Sequence, residues 1–287
     1  MTVESGRKRA LFGPGGNSES FQREKQKTLN APLWVKNRGL DAYEYEAGRG
    51  VATSDEVLAA IGAQAKREGV HMSFHAPYFI SLSGVVTETR LKSISYIAES
   101  IHAAKLLGAD TIVVHTGSAA KITRQEAMRL AADTLIKTLT EVETGGVYIG
   151  LETMGKVNQL GTLDEVITLC KLDERLRPVV DFGHMNAREL GHCFEAEDNY
   201  RYVFDKIAQS LGDEVAQNLH CHFSKIEWTG AGEKRHLTFE DATYGPDFEP
   251  LLIALEKDGL TPTIICESAG TQAEDALAMK AYYESLL

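Results

Sequence analysis

The sequence predicts an α/β fold of the (β/α)8 TIM-barrel class, one domain spanning residues 1–287. Short β-rich runs alternate with longer helical stretches, the pattern of parallel strands joined by crossovers. Eight such units fit a chain of this length, since barrels of this kind run to roughly 250 residues or more. A doubly wound open sheet is the weaker fit, because the opening GPGG at 13–16 is not a G-x-G-x-x-G turn and no dinucleotide fingerprint follows. No linker or low-complexity segment divides the chain.

The first strand is expected at RALFG (9–13), followed by the helical stretch SESFQREKQKTLNAPLWVKNRG (18–39). DAYEYEA (41–47) is the second strand and SDEVLAAIGAQAKREG (54–69) its helix. VHMSFHA (70–76) is the third, and in the stretch TRLKSISYIAESIHAAKLLG (89–108) Ile94, Ile97, Ile101 and Ala104 recur at spacings of three and four, one apolar helix face. DTIVVHT (110–116) and GVYIGLET (146–153) are strands four and five. Thr162 and Glu165 form a capping box that opens the helix after strand five. PVVDFGH (178–184), NLHCHFSK (218–225) and PTIICES (262–268) complete the strands, and TQAEDALAMKAYYESLL (271–287) is the closing helix.

Hydrophobic residues make up 43% and charged residues 25%, ordinary for a globular chain with a full core. The start, MTVESGRKRALFGPGG, lacks the apolar stretch of a signal peptide, and no run reaches the ~18 apolar residues of a membrane span. Cys170, Cys193, Cys221 and Cys266 show no C-x-x-C pairing, so a cytoplasmic location with reduced thiols is expected. The formal net charge of −11 argues against binding nucleic acid through bulk charge. It leaves room for a local basic groove and for carboxylates neutralised by divalent metals.

Active-site residues of such barrels lie at the C-terminal ends of the strands. Strand three ends in His75, four in His115, five in Glu152, six in Asp181 with His184 just beyond, seven carries His220 and His222, and eight ends in Glu267. Singly, each has an ordinary explanation: a hydrogen-bonded histidine, a turn-capping Asp, a Glu paired with a neighbouring Lys. Six successive strands delivering such groups to one rim would incur repulsion and desolvation unless divalent cations neutralised them. Mixed nitrogen and oxygen ligation without thiolate fits zinc, with manganese or iron as alternatives. A zinc site uses about four ligands, so this set fits two or three ions, with Glu152 the natural bridge. Closely spaced ions of this kind clamp the attacking and leaving oxygens of phosphoryl transfer. The D-F-G of VVDFGH (179–184) is also a protein-kinase motif, but no H-R-D-L, V-A-I-K or A-P-E accompanies it.

The set FHAPY (74–78), VVHTGS (113–118), LETMG (151–155), VVDFGH (179–184), LHCHFSK (219–225) and ICES (265–268) resembles endonuclease IV, the apurinic/apyrimidinic endonuclease of the xylose-isomerase-like barrels. The resemblance implies three zinc ions. His75 and His115 would hold one together with Glu152, which bridges to a second held by Asp181, His222 and Glu267, and His184 would belong to a third. His222, nearer the strand end, is the ligand of strand seven, and His220 a polar residue of the layer below. The family's remaining ligands form a D-x-H motif that the stretch GAGEKRHLTFED (230–241) lacks. With a one-residue shift Glu233 and His236 would serve; otherwise GEKRH is a surface loop. Tyr78 matches an aromatic that the family pushes into the DNA stack, and Arg49 and Lys225 are candidate phosphate contacts.

The implied activity is hydrolysis of the phosphodiester 5′ to abasic sites in duplex DNA by a zinc-bridged hydroxide, with Glu152 at the catalytic centre, in a monomer that needs no protein partner or membrane. The abasic nucleotide rotates out cheaply because it has no base pair to lose. The alternative is a sugar isomerase or epimerase of the same superfamily, with one metal on Glu152, Asp181, His222 and Glu267. Such an enzyme has no need of His75, His115 and His184 together.

Overall fold

The computed structural model describes residues 8–287; Met1–Arg7, at the start of the N-terminal stretch read for a signal peptide, lie outside the described residues. The strands in chain order are β1 (Leu11–Pro14), β2 (Ala42–Glu46), β3 (His71–His75), β4 (Thr111–His115), β5 (Tyr148–Glu152), β6 (Leu176–Asp181), β7 (His220–Phe223), β8 (Ile226–Thr229), β9 (Gly232–His236) and β10 (Thr263–Cys266). Eight of them form one sheet in the order β1-β10-β7-β6-β5-β4-β3-β2, every ladder parallel. This is the predicted barrel.

The barrel closes between β1 and β2 through a single bridge, Gly15 to Glu44, flanked by Asp41 N donating to Phe12 O at 2.8 Å and Gly16 N to Glu44 O at 3.0 Å. Gly13 permits this approach, since a Cβ there would stand 1.8 Å from the Ala42 carbonyl oxygen.

The helices are α1 (Glu19–Arg23), α2 (Ala31–Asn37), α3 (Asp55–Glu68), α4 (Thr87–Leu107), α5 (Arg124–Glu141), α6 (Leu163–Cys170), α7 (Phe182–Arg188), α8 (Glu197–Leu211), α9 (Asp213–Gln217), α10 (Glu249–Asp258) and α11 (Gln272–Leu286). In α4 the predicted face of Ile94, Ile97, Ile101 and Ala104 is buried. Removing such side chains from water supplies most of the attachment of helix to sheet. The capping box opens α6 as predicted, with Glu165 N donating to Thr162 Oγ1 at 3.3 Å and Thr162 N to Glu165 Oε2 at 3.0 Å. Among the described residues no helix is long and apolar enough to cross a membrane.

Two local expectations change. Strand six, expected over 178–184, ends at Asp181, because the Asp181 side chain accepts from His184 N at 2.6 Å and starts α7. The stretch 230–241, read as loop, contains β9, which pairs antiparallel with β8. Opposite charges stitch this hairpin: Lys234 Nζ and Arg235 Nε reach Glu227 across it at 2.5 and 2.6 Å. Gly232, at φ +88°, opens β9 directly after the Gly230–Ala231 turn and lies so close to Gly155 that a Cβ would stand 2.2 Å from its carbonyl oxygen.

Candidate metal centre

The parallel register brings the predicted residues to one rim. His115 pairs with Glu152 across β4–β5, and Asp181 with His222 across β6–β7. Glu152, almost fully buried, lies at the centre with its two oxygens facing opposite ways. Oε2 faces Nε2 of His115 at 3.3 Å and of His75 at 3.7 Å. Oε1 faces Nδ1 of His222 at 3.2 Å and of His184 at 3.3 Å.

Among the described residues donor atoms gather in five groups, each with all its atoms within 4.8 Å of one another. Three hold the predicted residues: His75, His115 and Glu152; Glu152, Asp181, His222 and Glu267, joined to the first by Glu152; and His184, Glu233 and His236. The other two, Glu44, His220 and His222, and Glu44, Glu46 and Glu267, contain Glu44. The third group forms because α7 carries His184 to the hairpin, where its Nε2 is 3.4 Å from Glu233 Oε2. Gly155 lets them meet, since a Cβ there would stand 2.6 Å from Glu233 Cβ and 3.1 Å from His184 Cδ2.

Backbone partners fix several imidazole rings. His75 Nδ1 donates to the Ala76 carbonyl at 2.9 Å, and His184 Nδ1 to that of Thr153 at 3.1 Å. A carbonyl only accepts, so each Nδ1 carries a proton and each Nε2 is left to face the site. The Ser224 hydroxyl pairs with His236 Nδ1 at 2.8 Å, leaving the opposite nitrogen of that ring to the third group.

Burial opposes charge on Glu152, yet the surrounding histidines outweigh it and hold its pKa well below the usual range. Glu267 is likewise opposed by burial but drawn down to about 2, chiefly by His222. At Asp181 burial dominates, only partly offset by His184, and the pKa rises to about 6. Burial would depress His184, His75 and His222, but the carboxylates around them prevail: His184 rises to about 10, and His75 and His222 lie well above their ordinary value.

Four buried polar atoms, Glu152 Oε2, Asp181 Oδ2, His222 Nε2 and Glu44 Oε1, have no well-aligned hydrogen-bond partner. Such atoms are costly when left unpaired. The first two point into the carboxylate–imidazole groups, so the residues present fit divalent cations.

The remaining predicted residues fall around this rim. Tyr78 is 59% exposed on the loop after β3, and its backbone N–H donates to Gly48 O at 3.4 Å, beside exposed Arg49. Lys225 is not a free cation: its ammonium donates to Asp241 O at 2.7 Å and lies 3.2 Å from Asp247 Oδ1. His220 lies below the rim, with Nε2 donating to Glu44 Oε2 at 2.9 Å. The residues that sequence reasoning missed are Glu44 and Glu46. They share the inner side of β2 because alternate residues of a strand face the same way, and the Y-E-Y-E repeat at 43–46 carried that signal.

The family profile described as "Xylose isomerase-like TIM barrel" matches residues 32–283. An uncharacterized protein of Methanocaldococcus jannaschii is 29% identical over 96% of this chain and 97% of its own. A protein of Chloroflexus aggregans named "Probable endonuclease 4" is 27% identical over 92% of this chain and 91% of its own, in keeping with the motif resemblance. Among solved structures, endonuclease IV from Thermus thermophilus superposes with a TM-score of 0.69 at 19% identity, covering 96% of this chain and 99% of that one. The 3-keto-D-glucoside 4-epimerase of E. coli superposes almost equally well, at 0.68 and 17% identity, covering 96% and 100%. At these identities the superpositions establish the fold alone. The chain belongs to the xylose isomerase-like TIM barrel family.

Proposed function

We propose that the protein is a metal-dependent endonuclease of the endonuclease IV type, cutting the phosphodiester 5′ to abasic sites in duplex DNA. The observation that carries this is the third donor group, His184, Glu233 and His236, beside a Glu152 that joins the other two. A phosphodiester in transfer carries negative charge on several oxygens at once, and a row of cation sites matches it better than one site does. Bound divalent ions, zinc foremost, would activate water and neutralise the phosphoryl oxygens. The chain's own residues hold the ligands in place. Glu152 presents one oxygen to each side, Asp181 caps α7 with one oxygen and keeps the other for the site, and backbone carbonyls orient His75 and His184. The exposure of Tyr78 and of Arg49 on the neighbouring loop supports a role for both in contacting the duplex at the lesion.

The alternative, a sugar epimerase, rests on the group Glu152, Asp181, His222 and Glu267, which alone makes a one-metal site. It gives no role to the third group.

The test is incision of a duplex carrying a single abasic site by zinc-loaded protein, with the cleaved ends identified. Cleavage 5′ to the lesion that leaves a 3′-hydroxyl and is abolished by chelation supports the assignment. An intact duplex, together with turnover of a ketose by the same preparation, transfers the assignment to the epimerase.

A further inference from the structure

Below the metal centre, on the side of His222 away from Glu152, lies a second charged layer that the activity above does not use. Glu44, on β2, is fully buried, and Ser73 on β3 and His220 on β7 are buried beside it. One Glu44 oxygen, Oε2, accepts from Ser73 Oγ at 2.7 Å and from His220 Nε2 at 2.9 Å. The other, Oε1, stands 2.9 Å from His222 Nε2, two buried atoms that face each other without the alignment of a hydrogen bond and have no other hydrogen-bond partner. The opposite nitrogen of the same ring, Nδ1, faces Glu152 at 3.2 Å and Glu267 at 3.5 Å. His222 is thus held between two sets of carboxylates.

We propose that Glu44 is the positioning residue of the metal centre. With an ion bound, its carboxylate accepts the Nε2 proton of His222, the two facing atoms coming into line from their 2.9 Å approach, and so leaves Nδ1, unprotonated, to the ion shared by Glu152, Asp181 and Glu267. Metal-bound histidines commonly carry such a carboxylate on their outer nitrogen, which fixes the tautomer and the ring orientation. Ser73 and His220 in turn fix Glu44, because two donors on Oε2 leave Oε1 facing His222.

The donor atoms of Glu44, His220 and His222 also lie within 4.8 Å of one another, so a fourth ion among them is the competing arrangement. It is disfavoured on two grounds. Oε2 of Glu44 already accepts from two donors, and an ion on Nε2 with another on Nδ1 would require His222 to lose both ring protons.

The inference rests on the metal-centre assignment but not on nuclease activity, so it is tested without DNA. Protein labelled with ¹⁵N-histidine and loaded with ¹¹³Cd is expected to show cadmium coupled to His222 through Nδ1, with a slowly exchanging Nε2 proton. Glu44→Gln is expected to weaken the ion at Glu152, Asp181, His222 and Glu267 by roughly 10–100-fold and to leave the ion at His184, Glu233 and His236 unchanged. Ser73→Ala, a smaller change in a packed site, is expected to act in the same direction by a few-fold.

Coupling through Nε2, unchanged affinity in both variants, or a fourth equivalent of cadmium lost on Glu44→Gln would overturn the proposal. If Glu44→Gln does not fold, the labelled parent and Ser73→Ala still decide it. A parent that takes up no cadmium would refute the metal centre itself, a different outcome from any of these.

Discussion

His184 Nε2 stands 3.4 Å from Glu233 Oε2, although one residue lies on a helix after β6 and the other on a hairpin strand after β7. This contact adds a third donor group to the two that Glu152 joins. It depends on Asp181 starting α7 and on Gly155 leaving room for the hairpin.

Gly155→Ala tests that dependence. The new Cβ would stand 2.6 Å from Glu233 Cβ, so the hairpin must shift. The expected result is loss of one equivalent of bound zinc by elemental analysis, with the other sites retained. Incision should fall on the order of 10²-fold, as when one electrostatic stabiliser of a transition state is removed.

Asp181→Asn separates the two tasks of this side chain. Asn accepts a hydrogen bond at a helix N-cap about as well as Asp, so α7 should form and circular dichroism should match the parent. The charge of the site-facing oxygen is lost. The expected outcome is weaker zinc binding in a competition titration with a chromophoric chelator, and incision at background.

The metal-free protein should lose stability as pH rises from about 6.5 to about 10. His184 is lifted from its ordinary 6.5 to about 10 in the folded chain, burial being outweighed by Asp181 and its neighbours. A raised folded pKa contributes stability that is complete below about 6.5 and gone above about 10. Thermal melts at intervals across that range should show Tm falling without metal. The zinc-loaded protein should not show the fall, because ions replace the protons, and zinc uptake near neutral pH should release protons to the buffer.

Tyr78→Ala should weaken binding to an abasic duplex by on the order of tenfold, the scale of one aromatic–base contact. Its ring is exposed on the rim and belongs to none of the donor groups, so zinc content should stay at the parent level. Fluorescence anisotropy with a labelled duplex gives the first quantity and elemental analysis the second.

The barrel and most of the rim were legible because parallel strands in register carry their last residues to one end. Once His75, His115, Glu152, Asp181 and Glu267 are placed at strand ends, their convergence follows from topology. What was not legible depends on contacts distant in sequence. GEKRH is short and charged, and it becomes a strand because Glu227 lies opposite Lys234 and Arg235 and because Gly232 packs on Gly155. Glu44 looks like an ordinary polar residue of a barrel strand until β1 and β2 close and β7 brings His220 and His222 against it. Lys225 had the right residue type for a phosphate contact, but Asp241 and Asp247 hold it.

Whether three ions together make the nuclease is decided by stripping the protein of metal and restoring zinc in measured equivalents. Incision of a duplex with one abasic site is followed at each step. The stripped protein should not cut, and activity should rise until about three equivalents per chain are bound, one for each of the groups built on His75, Asp181 and His184. Saturation at one equivalent with the duplex still intact would contradict the three-ion nuclease.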